Sequence, residues 1–329
     1  MNLHIFRKLH ADGLISPDSY EKVKTVEENR LFSLHWELKA LLYLGVLLLS
    51  GGLGILVYKH IDTIGHQAIL AFIAAISGGC FVYCFKRKPP FSFNKMGSPD
   101  ALYDYLLLLG CLTLLSFIAY IQYQYAIFGD NLRLASFVPM AILFFCAYYF
   151  DHLGVLSLAI TNLAAWMGIV VTPLQILEQN DFHSETLIYT GMLLGMLLIA
   201  AGELGTWKNI KRHFRFTYLN FGVHVLFIAC LAGLFHFDRV FLLWLLVLFG
   251  IAFYCYRQSL LDHSFYFLLI LAIYTYIGCA YVVTHLLTSM HAGDETSLYL
   301  VLIYLIGSGV GLTVFLIRQN KKMKHHDSL

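Results

Sequence analysis

Residues 38–62 read LKALLYLGVLLLSGGLGILVYKHID, and this stretch decides the class of the fold. Between Lys39 and Lys59 it runs through about 20 apolar or small residues without a charge, enough to cross a hydrocarbon core. Its Ser50-Gly51-Gly52-Leu53-Gly54 centre lacks bulk, so a second helix is expected to approach closely there. A short polar cap precedes it. Beyond it, the chain repeats the same kind of apolar span.

Composition supports the same class. The chain has 329 residues, 59% hydrophobic and only 13% charged, with mean hydropathy +0.71. A soluble domain needs about 25% charged residues to dress its surface, so the surplus apolar surface must face lipid. A net charge of +2 gives no footprint for nucleic acid. No small-residue cleavage site follows a short apolar core, so no cleavable signal peptide is expected. All seven cysteines fall inside apolar spans. Cys80 and Cys84, one helical turn apart, read as small core residues in preference to a redox or metal pair.

Ten spans are expected, at roughly 39–58, 66–85, 103–125, 132–150, 153–173, 186–204, 215–235, 239–256, 263–286 and 297–317. With both termini cytoplasmic, 19 of the 22 Lys and Arg residues fall on the internal side, leaving only Lys59, Arg133 and Arg239 outside. Another number of spans would scramble that asymmetry. The fold class is therefore all-α: a polytopic integral membrane protein with about ten transmembrane helices over 38–318 and a basic cytoplasmic tail at 319–329. A tandem repeat of spans 2–5 on spans 6–9 is a candidate. Each half has Asp and Arg at an external helix start (Asp130 and Arg133; Asp238 and Arg239) and an Asp-His pair at an internal turn (Asp151-His152; Asp262-His263). Asp151 and Asp262 are expected to cap spans 5 and 9.

Residues 1–37 read as a small cytoplasmic helical hairpin. Gly13 stops the first helix; Ser16 caps the second, with Pro17 at its first position. A hairpin this short cannot bury a core alone, so it must dock on the membrane domain or on a partner.

The order of these features resembles the bacterial family called domain of unknown function 2157. The residues that carry the likeness are Gly13-Leu14-Ile15-Ser16-Pro17, the glycine-rich helix from Leu44-Gly45 through Gly51-Gly52-Leu53-Gly54, and His60-Ile61-Asp62. Ile61 stands where the family pattern has Trp. The likeness covers about the first 90 residues. It implies a bacterial inner-membrane protein and brings no activity with it.

No carboxylate or basic group lies between the ends of any span, where a proton- or ion-coupled carrier keeps one. Glu203 comes nearest, at the internal end of span 6. Thr161, Asn162 and His224 are the midplane polar residues, and with Glu203 they form the candidate lining of a polar cavity between spans 4, 5 and 7. Pro139 is expected to kink span 4. Asp104, Asp151, His152, Glu203, His213, Asp262 and His263 share the internal boundary, but no HExxH or DxxD spacing joins them. No catalytic, metal or cofactor residue is assigned. Candidate helix-packing residues are Gly51, Gly52 and Gly54, with Gly78 and Gly79 of span 2 or Gly307, Gly309 and Gly311 of span 10 as their partners.

The leading functional expectation is a non-enzymatic inner-membrane protein. It would act through membrane lipids and through a homo-oligomer or protein partner held by residues 1–37. A transporter of a small or lipid-like solute is the alternative, and a membrane-embedded lipid-modifying enzyme the second alternative.

Overall fold

Among the described residues, ten long helices fall where the apolar runs fall. The computed structural model describes residues 15–21, 35–171, 185–261, 265–290 and 295–326. The helices are α1 (His35–Ile64), α2 (His66–Arg87), α3 (Ala101–Tyr125), α4 (Leu132–Phe150) and α5 (Leu153–Val171). They continue as α6 (Glu185–Trp207), α7 (Arg215–His236), α8 (Phe241–Leu261), α9 (Phe265–Met290) and α10 (Glu295–His326). No strand occurs among the described residues.

Among the described residues, eight of these helices are long and apolar enough to cross a membrane, and α1 and α5 add the apolar stretches Ala40–Ile55 and Leu153–Gly168. The molecule is an all-helical polytopic membrane protein.

The joints follow from side chains and backbone. Gly65 links α1 to α2 at φ 84°, a conformation that residues with a Cβ rarely adopt. Asp100 caps α3 by accepting from the Tyr103 amide at 2.6 Å, and Asn131 caps α4 by accepting from Leu134 at 3.3 Å. Ser16 accepts from the Ser19 amide at 3.3 Å with Pro17 first in its helix, as the sequence predicts. The remainder of the N-terminal hairpin, and the Asp262-His263 pair, lie outside the described residues. Pro139 sits buried inside α4, which continues through it. Helix α10 runs on into the basic tail as far as His326: Arg, Gln and Lys favour helix, and cations complement its C-terminal dipole.

Packing has a period of two helices. Contacts are most extensive within the pairs α2–α3, α4–α5, α6–α7 and α8–α9, and each odd helix also touches the next odd one, from α1 to α9. Even helices make no more than slight contact with one another among the described residues. The contacts within α2–α5 recur within α6–α9, and the same pattern holds at a shift of two. The repeating unit of contact is thus a hairpin entering at one face and returning to it.

Two cores run along this row. One gathers residues such as Leu107, Ala147, Val155, Leu156 and Leu198 from α3 to α6; the other gathers Phe227, Leu234, Leu248 and Cys255 from α7 and α8. Helix α7 belongs to both and is the most buried, at 61% of its apolar window, whereas α10 is at 0%.

The expected glycine contacts are not where the helices meet. A Cβ built at Gly51, Gly52, Gly54, Gly78, Gly79, Gly307 or Gly311 meets nothing within 4 Å, and at Gly309 only the Tyr276 hydroxyl at 3.7 Å. Helix α1 leans on α3 through Tyr43 and Tyr105, rings 5.2 Å apart, and α10 on α9 through Tyr276, whose hydroxyl lies 3.2 Å from Ser308 Oγ. Close approach belongs to Gly195 of α6 and Gly222 of α7, where a Cβ on either would lie 3.0 Å from the other's carbonyl oxygen. The reason is physical. In lipid a bare glycine stripe gains only what a complementary surface offers it, and the hairpin partner offers more.

Candidate functional site

The turns joining even to odd helices, with the helix ends beside them, carry nine of the 22 Lys and Arg residues, against three at the opposite turns, and define a basic face. There Asp151 ends α4 in the left-handed region, at φ 58°, donating its backbone N–H to Ala147 O. The expected cap of α5 by Asp151 is therefore corrected. His152 takes that place, its Nδ1 accepting from the Val155 amide at 3.1 Å. Freed from capping, the Asp151 carboxylate turns inward, with 1% of its side chain exposed.

Three donors converge on that carboxylate. Lys211 Nζ lies 3.1 Å from Oδ1, His213 donates to the same oxygen from Nε2 at 2.7 Å, and the Met96 amide donates to Oδ2 at 2.5 Å. The Lys211 side chain is fully buried. It reaches its place because its own backbone is left-handed, at φ 47°, and its amide donates to Phe93 O at 2.8 Å. Its ammonium also donates to Asn94 O at 3.4 Å and stands 5.4 Å from the Phe91 ring centre. One buried ion pair thus gathers the turns of three successive hairpins: residues 88–100, Asp151-His152 and 208–214.

Around it the remaining polar groups are paired locally. Ser98 donates to Asp104 Oδ1 at 2.6 Å, with His152 Nε2 3.9 Å from the same oxygen. Arg87 pairs with Asp100 at 3.2 Å, and Lys88 sits 3.9 Å above the Tyr149 ring. Of the seven acids and histidines expected at this boundary, the structure joins Asp151 to His213 and sets His152 near Asp104, while Glu203 faces Arg215 at 2.9 Å. Among the described residues no group of three or more His, Cys, Asp or Glu could hold a metal ion.

The polar residues expected to line a cavity are not brought together. Asn162 donates to Leu158 O at 3.0 Å and Thr161 to Ser157 O at 2.9 Å, both within their own helix. His224 lies between α7 and α9, with Nδ1 2.8 Å from Tyr274 Oη and Nε2 3.4 Å from Tyr266 Oη. Tyr266 in turn donates to Asn220 at 2.7 Å. Glu203 is at the end of α6 with Arg215, 40% exposed. Such a pair contributes at most about 1 kcal/mol, so Glu203→Gln is expected to leave thermal stability in detergent within that margin. A larger loss would mean that Glu203 has a burden beyond Arg215.

Sequence reasoning counted Lys211 only among the basic residues that set orientation. No periodicity marks a lysine in a turn as buried; the left-handed backbone that buries it is a tertiary outcome. Tyr266 and Tyr274 were likewise hidden among the many aromatic residues of α9.

Residues 7–156 match a family model described as "Predicted membrane protein (DUF2157)". The match runs beyond the first 90 residues to the first turn of α5, and so includes Asp151. No curated protein and no solved structure matches the chain.

Proposed function

Starting from a chain whose residues 7–156 match the model of the DUF2157 predicted membrane proteins, we propose a non-enzymatic scaffold that acts through its partners. It sits in the bacterial inner membrane with the basic face and both termini in the cytoplasm. The observation that carries this reading is where the polar chemistry of the basic face goes. Asp151, Lys211, His213, Asp104 and Ser98 are spent on one another and on backbone groups, holding three turns together. They do not converge on open space, which a lipid-modifying enzyme would need for substrate.

The carrier reading loses support on a similar ground. Asn162 and Thr161 turn to their own helix, and α4 and α5 share a packed core with α6. What is left for interaction is the basic surface itself, suited to anionic headgroups, and the segment 1–37.

Removal of residues 1–30 tests the reading. The truncated protein is expected to unfold at an unchanged temperature but to change in oligomer mass by light scattering, or in the set of proteins that co-purify. A folded truncation that matches the full chain on both counts would sink it.

A further inference from the structure

At the end of the bundle opposite the basic face, α1, α2 and α3 diverge around a cavity of about 500 Å³. Its size is that of small-molecule sites, which span roughly 300–1,000 Å³. Leu53, Gly54, Phe72, Ile73 and Ile76 supply apolar wall. The Ser and Thr hydroxyls that border it are spent on their own helices: Ser50 donates to Leu47 O at 2.9 Å, Thr113 to Leu109 O at 2.8 Å and Ser116 to Leu112 O at 3.1 Å. The wall is therefore apolar in effect through the depth of the spans. At one end it becomes polar, where His66 Nδ1 and Tyr120 Oη are 2.7 Å apart. His66 begins α2 and Tyr120 lies in the last turns of α3, so this pair marks the level at which the hydrocarbon gives way to headgroups.

We propose that this cleft holds one acyl chain of a membrane phospholipid, with the lipid's polar end at the His66–Tyr120 pair. Three features choose that occupant. Phe72 and Gly54 both line the cleft and are exposed, so it opens sideways onto the surface that meets lipid tails. An acyl chain is already at that sideways opening. Lys59, exposed at the same end of α1 and the only Lys or Arg between Lys39 and Lys86, supplies a cation for the phosphate. The absence of bulk at Gly54 also gains a role, since it makes room for a tail where no helix approaches.

This inference is independent of the scaffold reading, and its test leaves residues 1–37 untouched. The full chain is placed in nanodiscs with phosphatidylglycerol carrying a diazirine in mid-chain, irradiated, digested and mapped by mass spectrometry. Adducts are expected several-fold enriched on Phe72, Ile73, Ile76 and Thr113 over the lipid-facing Leu246 of α8 and Ile303 of α10. Gly54→Leu, which adds bulk at a cleft-lining position whose Cβ would meet no neighbouring atom within 4 Å, should reduce them to the level of Leu246 and Ile303. Gly51→Leu, one turn away and outside the cleft, should leave them unchanged. Uniform labelling of all lipid-facing positions in the parent protein, or enrichment that survives Gly54→Leu, overturns the proposal.

Discussion

Asp151→Asn is expected to lower the unfolding free energy of the detergent-solubilised protein by about 3–5 kcal/mol, the cost of leaving a buried charge without its partner. Lys211 is fully buried 3.1 Å from the lost carboxylate charge, and its other contacts are a carbonyl and an aromatic ring. Asparagine is the informative choice because it tolerates the left-handed backbone at φ 58°, so the loss reports the charge and not the turn. The double variant Asp151→Asn/Lys211→Met should recover much of the loss, since a buried pair replaced as a whole costs far less than a pair broken in half. Protease digestion supplies a second readout. With the pair broken, the Met96 amide loses its ionised acceptor, and the segment 88–100 should become the first site of cleavage. If Asp151→Asn unfolds within about 1 kcal/mol of the parent, the typical worth of an exposed pair, then Lys211 is not a buried cation in need of a partner.

Gly195→Ala should destabilise the protein by about 1–3 kcal/mol, the usual cost of overpacking a tight contact. Its Cβ would lie 2.8 Å from Leu226 Cβ and 2.9 Å from the Leu226 amide nitrogen, so backbone must move. Gly51→Ala provides the contrast. Its Cβ meets nothing, and alanine's better helix propensity should make it neutral or stabilising by about 0.5–1 kcal/mol. Unfolding curves for the two variants in one detergent decide the matter, and the reverse order would mean that α1, and not α6, carries the close helix contact in the intact protein.

That contrast also marks how far the sequence could be read. The ten helices were legible because hydropathy and the distribution of Lys and Arg are written along the chain. The α4 span from Leu132 to Phe150 coincides with its apolar run at both ends. Which helices touch was not legible. Gly51-Gly52 and Gly195 look alike in sequence, and in lipid the choice between them rests on small differences in packing between surfaces equally apolar. Asp151 shows a different limit. An Asp before a helix reads as its cap, but the chain turned one residue earlier and gave that task to His152, releasing the carboxylate for Lys211. Backbone handedness at Asp151 and Lys211 is decided by the three turns they join, and no local pattern announces it.

The hairpin-by-hairpin contact pattern has a consequence for how the protein is made. A ribosome delivers α1 first and α10 last, and every helix in this row leans on a neighbour already delivered or next to emerge. Among the described residues no helix closes the row into a ring, so each hairpin can settle against the preceding one as it leaves the insertion machinery. The contacts of the Lys211 turn must wait: Asp151 emerges 60 residues before Lys211, and until α6 has been threaded that carboxylate must remain in water. Assembly is thus sequential along the row, with one fastening made late, after the third turn arrives.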